Sequence, residues 1–155
     1  MKFIILSSSR GTTMKAVLDA VGDGSLTMEC LGLVTDSESR GCRDVAMSAG
    51  IPIYVLPKEE SEDREAYDKR LNDAIEEMGG TPSDTVVAAL GWMFILSPWF
   101  VSQWKNKILN VHPSVLPKFP GGNAVADALA SGDETTGMTI HVIDEGVDTG
   151  PIVLQ

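Results

Sequence analysis

The chain has 155 residues, 43% of them hydrophobic and 22% charged, enough for one domain around a single sizeable core. Twelve Lys and Arg stand against twenty-two Asp and Glu, and the formal charge of −10 argues against nucleic acid and anionic membrane as partners. An anionic ligand must then be held by local devices, a helix N-terminus or individually placed Arg and Lys side chains.

The opening MKFIILSSSRG lacks the long apolar run and cleavage site of a signal peptide, and no later run approaches the ~20 apolar residues of a membrane span. KFIILSS reads as a short buried strand. After the turn SSRGTT, Met14, Val17, Leu18 and Val21 recur at helical spacing. The same unit follows twice, as CLGLVTD with RGCRDVAMSAG and as IPIYVLP with SEDREAYDKRLNDAIEEMGG. In that third helix Tyr67, Leu71, Ala74, Ile75 and Met78 form one apolar stripe. Ser61 is the expected N-cap, with Glu62 and Asp63 in the first turn.

DTVVAALG and KILNV are near-continuous apolar runs, as strands covered on both faces require, and SPWFVSQWK between them predicts a short helix or turn. GNAVADALASG predicts a helix with Val125, Ala128 and Leu129 inward. MTIHVID and PIVLQ predict two last strands around the loop EGVDTG. The alternation argues for an α/β fold, a single domain over residues 1–155. Its sheet is doubly wound and mostly parallel, with helices on both faces and ligands beyond the carboxyl ends of the strands. The apolar end PIVLQ, with no closing helix, is expected to self-associate as a homodimer or to leave a less stable monomer. Cys30 and Cys42 form neither a CxxC pair nor a metal-type spacing, and are expected as reduced thiols of a cytoplasmic protein without a metal site.

Three features carry candidate chemistry. In the turn SSSRGTT, Gly11 permits a sharp bend, and Thr12 and Thr13 offer hydroxyls and N–H groups. Anion binding and plain N-capping by Thr both fit. Asn110 and His112, in NVHPSVLPKFPGG, have the period-two spacing that points both side chains one way at a strand's carboxyl end. Together they supply an amide donor for an oxyanion and a group that transfers protons near pH 7. Asp148, flanked by Gly146 and Gly150, lies in a loop that must pass the ligand end of the sheet. Its carboxylate against His112 would favour the imidazolium form. His141 alternates with Ile140 and Val142, and an auxiliary or structural role is expected for it.

Taken with ILSPWFVSQW, LNVHPSVLPKFPG, SGDETTGMTIHVID, VDTGPIVLQ and REAYDKRL, the chain resembles the glycinamide ribonucleotide formyltransferases over essentially its whole length. The resemblance implies the Rossmann-like formyltransferase fold and formyl transfer from 10-formyltetrahydrofolate, as co-substrate, to the amine of glycinamide ribonucleotide in purine biosynthesis. It implies small-molecule partners and no metal. By position, Asn110, His112 and Asp148 match the family's catalytic trio, and Gly11, Thr12 and Thr13 match its ribonucleotide phosphate turn. Arg64 matches a folate-binding arginine. Met93, Phe94, Ile95 and Leu96 match a segment lining the folate pocket, and Asp144, Glu145, Gly146, Val147 and Asp148 match the loop over the pterin. Phe94 stands where the family commonly has Arg, Asn123 and Val125 where many members have histidines, and a further strand and helix usually follow. The alternatives are a 10-formyltetrahydrofolate hydrolase, a formyltransferase with another amine acceptor, or a truncated folate- or nucleotide-binding protein with little catalysis.

Overall fold

Strand β1, Lys2–Leu6, is buried from Phe3 onward, as a near-continuous apolar run is when both faces of a sheet are covered. The computed structural model describes all 155 residues. The chain continues as α1 Thr12–Gly22, β2 Glu29–Thr35, α2 Cys42–Ala49, β3 Ile53–Val55, α3 Arg64–Glu77 and β4 Thr85–Ala89. It then runs through α4 Pro98–Gln103, β5 Ile108–His112, α5 Ala124–Ser131, β6 Thr139–Val142 and β7 Ile152–Leu154.

These strands make one sheet in the order β3-β2-β1-β4-β5-β6-β7. Neighbours from β3 to β5 are parallel, whereas β6 and β7 are antiparallel additions at one edge. The mostly parallel, doubly wound expectation therefore holds. Chain order reverses between β1 and β4, which puts the topological switch at the loops that follow those two strands.

Strand periodicity divides the core. Ile4 and Leu6 of β1 face a cluster with Tyr67, Leu71 and Ile75 of α3, and Phe100 and Trp104 in and just after α4. Phe3 and Ile5 face the other layer, with Met14 of α1 and Cys42 and Ala46 of α2. Each such large apolar side chain contributes about 1.5–3 kcal/mol by leaving water, so the two layers clamp the sheet and fix its loop ends.

Two helix expectations are corrected. Asp63, not Ser61, caps α3, accepting the Ala66 N–H at 2.8 Å, while Glu62 turns away to Arg70. In α5 Ala124 and Ala128 are buried, but Val125 and Leu129 are 56% and 81% exposed. Its sequence, AVADALAS, is apolar almost all round, so periodicity selects no face, and the small alanines form the packed one. At the sheet edge Ile152, Val153 and Leu154 of β7 are all exposed. No helix is long and apolar enough to cross a membrane.

Candidate active site

Strand β5 persists to His112, so Asn110 and His112 lie two residues apart at its carboxyl end and reach the same neighbour. That neighbour is Asp148. Its Oδ2 is 3.3 Å from Nδ1 of His112 and accepts the Gly121 N–H at 2.7 Å, and its Oδ1 accepts from Asn110 Nδ2 at 3.4 Å. Asp148 adopts φ 54°, a left-handed conformation that Asp tolerates better than most residues. The loop before it folds on itself through Asp144, whose Oδ1 accepts from the Gly146 N–H at 3.0 Å and the Thr149 hydroxyl at 2.7 Å. Glu145, Gly146 and Val147 are the exposed rim of that loop.

His112 is 4% exposed, and both its ring nitrogens face acceptors: Asp148 on one side and the Phe119 carbonyl, at 2.8 Å from Nε2, on the other. Both contacts are satisfied together only when both nitrogens carry hydrogen. Neither N–H points into open space in this conformation, so donation to a substrate oxygen requires one contact to give. Phe119 itself sits at φ 55°, in the proline-rich exit that contains the cis peptide Leu116–Pro117.

His141 belongs to the same cluster more closely than its alternation with Ile140 and Val142 suggested. Its Nε2 lies 3.1 Å from Asn110 Nδ2 and 3.4 Å from Asp148 Oδ1, and its Nδ1 donates to the Val142 carbonyl at 3.1 Å. The cause is register: β6 runs antiparallel to β5 with His141 directly opposite Asn110. No local sequence signal carries that pairing.

The turn after β1 departs from expectation in detail. Gly11, at φ 84°, is the N-cap of α1, and no side chain caps the helix, so Thr12 and Thr13 stay exposed in its first turn. Their N–H groups have no intrahelical acceptor, whereas the Gly11 N–H already donates to Ser9 Oγ at 3.2 Å. A Cβ at Gly11 would lie 2.8 Å from the Cys42 Cα, so the turn packs directly against the start of α2. The turn also meets the other side of the topological switch, where the Ser8 N–H donates to the Gly91 carbonyl at 3.0 Å.

Beyond Gly91 the chain passes Trp92 and reaches Met93, Phe94 and Ile95. These three line a cavity of about 230 Å³ with Lys58, Arg64, Tyr67 and Asp68. Leu96, expected there too, is instead buried in the core. Phe94 packs on Tyr67 and Trp92, with ring centroids 5.4 and 5.3 Å apart. Burial pushes the Tyr67 phenol up, and its hydroxyl donates to the Leu56 carbonyl at 2.8 Å. Burial also pushes the Asp68 carboxyl up. One Asp68 oxygen accepts the Ser97 N–H and the other is buried without a partner. Lys58 and Asp68 were missed in the sequence, because only the fold brings the β3–α3 loop and the start of α3 against the chain after β4. A larger cleft of about 370 Å³ lies between α1 and α2, but two of its three charged groups, Lys15 and Asp19, pair with each other at 2.7 Å.

An amide, an imidazole and a carboxylate thus meet beyond the sheet, beside a helix start and an aromatic-walled cavity. All 155 residues match the family described as formyl transferase. The chain is 38% identical over 155 residues to a phosphoribosylglycinamide formyltransferase of Mycobacterium tuberculosis, covering 99% of this chain and 69% of that protein. It is 36% identical over 155 residues to the Escherichia coli K12 protein of the same name, covering 100% and 71%. Among solved structures, glycinamide ribonucleotide transformylase 1 of Symbiobacterium toebii superposes with a TM-score of 0.93 at 30% identity, over 100% of this chain and 71% of that one. With sequence, fold and the site-bearing strands matching along the whole length, this chain belongs to the formyl transferase family.

Proposed function

We propose that this protein is a phosphoribosylglycinamide formyltransferase, moving a formyl group from 10-formyltetrahydrofolate to the amine of glycinamide ribonucleotide in purine biosynthesis. The observation that carries this assignment is the convergence of Asn110, His112 and Asp148 at the end of β5 in a chain matched by the formyl transferase family from end to end. The neutral amine attacks the formyl carbon, and a tetrahedral oxyanion develops. Asn110 and protonated His112 donate to that oxygen, with Asp148 held against the imidazole. Collapse of the intermediate then breaks the bond from the formyl carbon to N10 of the folate, the attacking nitrogen losing a proton and N10 gaining one through this cluster. The cluster is self-satisfied at rest, so bound substrate replaces contacts such as Asn110 to Asp148 and His112 to Phe119. The Thr12 and Thr13 N–H groups receive the ribonucleotide phosphate at the α1 N-terminus. Arg64, Met93, Phe94 and Ile95 line the folate site, with Asp144 to Val147 over the pterin. We place the reaction in the cytoplasm, with the exposed β7 edge available for a homodimer.

The test is formyl transfer measured with and without glycinamide ribonucleotide. Amine-dependent product supports the assignment, whereas equal release of formate in both cases marks a hydrolase. Asn110→Ala should lower turnover by roughly 10²–10³-fold with folate affinity little changed.

A further inference from the structure

Seven of the twelve cationic side chains contact a carboxylate within the chain. Lys58 and Arg64 contact none, although they lie in its most acidic stretch, KEESEDRE. All but one of the neighbouring carboxylates in that stretch are committed elsewhere. Arg70 takes Glu59 and Glu62 at 3.7 and 2.8 Å, Lys69 takes Glu65 at 2.8 Å, and Asp63 caps α3. Glu60 is exposed to solvent. Arg64 is moreover the first residue of α3, where the helix dipole disfavours a cation. The two charges do not serve Asp68 either. Their fields reach it, but neither comes within ion-pair distance, and its second oxygen stays unpartnered.

Both cations open instead onto the cavity of about 230 Å³ walled by Tyr67, Phe94 and Ile95. Two uncompensated charges above an aromatic wall suit an anion carried on a flat apolar group. The formyl donor of the proposed reaction ends in such a unit, a benzoyl ring followed by a glutamate with two carboxylates. We infer that Lys58, beside the folate-binding arginine Arg64, is a further specificity-determining residue for that dicarboxylate tail. The assignment rests on the proposed function.

A double-mutant cycle tests this, with affinities measured for 10-formyltetrahydrofolate and for the same molecule with both tail carboxylates converted to amides. Wild type should prefer the carboxylate form by about threefold to tenfold, less at high salt. Lys58→Gln should remove most of that preference, and Lys58→Arg should keep it. Lys105→Gln, which removes an exposed charge that does not line the cavity, should also keep it. A full preference retained in Lys58→Gln, or an equal loss for both forms, overturns the assignment. Wild type binding both forms equally overturns it while leaving the proposed function standing. Wild type binding neither form overturns both.

Discussion

Oδ2 of Asp148 stands 3.3 Å from Nδ1 of His112, and the remaining contacts of that carboxylate tie Asn110 and Gly121 to the same point. The carboxylate therefore holds the amide and the imidazole of β5 against the loop after the prolines. Asp148→Asn keeps the size of the side chain and tolerates the left-handed backbone, but removes the charge. Turnover should fall roughly 10²–10⁴-fold with the thermal midpoint little changed. An unaltered turnover in a folded variant would remove Asp148 from the mechanism.

Gly11 is held by geometry on both counts, with φ 84° and a Cβ position 2.8 Å from backbone of Cys42. Gly11→Val should destabilise the fold by about 1–3 kcal/mol from backbone strain, with the steric clash adding to it. Among molecules that remain folded, ribonucleotide binding should weaken more than folate binding, because α1 would shift its Thr12 and Thr13 N–H groups. Urea unfolding and titration of both ligands separate these effects, and an equal loss of both affinities would count against a phosphate site at this turn.

Asp68 supplies a pH dependence. Burial holds its carboxyl above the ordinary value of 3.8, against the opposing pull of the Ser97 hydrogen bonds. The folded protein therefore binds this proton more tightly than the unfolded chain does. Its stabilising contribution is complete below the unfolded value and is lost as pH rises through the folded one. Asp68→Asn should consequently gain stability relative to wild type as pH rises from about 4 to neutrality. Urea midpoints compared at the two ends of that range decide the matter, since a constant offset would show that Asp68 does not titrate there.

The β7 edge offers Ile152, Val153 and Leu154 at 49%, 59% and 63% exposure, with backbone groups free on its outer side. An uncovered strand edge is a template for pairing with another chain. Sedimentation of this 155-residue chain should show concentration-dependent association that Val153→Lys reduces. Identical profiles for the two would place any dimer contact elsewhere.

The sequence by itself determined the alternation of strands and helices, the placement of Asn110 and His112 on one side of a strand end, and the glycine turn after β1. These follow from backbone periodicity and the φ requirement of single residues, which act within a few positions of chain. It did not determine which residue caps α3, since Ser61 and Asp63 both qualify chemically and only the path of the chain from β3 selects Asp63. Nor did it choose the buried face of α5, whose residues are too uniformly apolar to encode one. The meeting of Asp148 with His112, the opposition of His141 to Asn110 and the shared cavity of Lys58 and Phe94 were decided by tertiary structure alone. Each joins segments some thirty or more residues apart through sheet order and register, and those are set by how the two core layers pack rather than by any local preference.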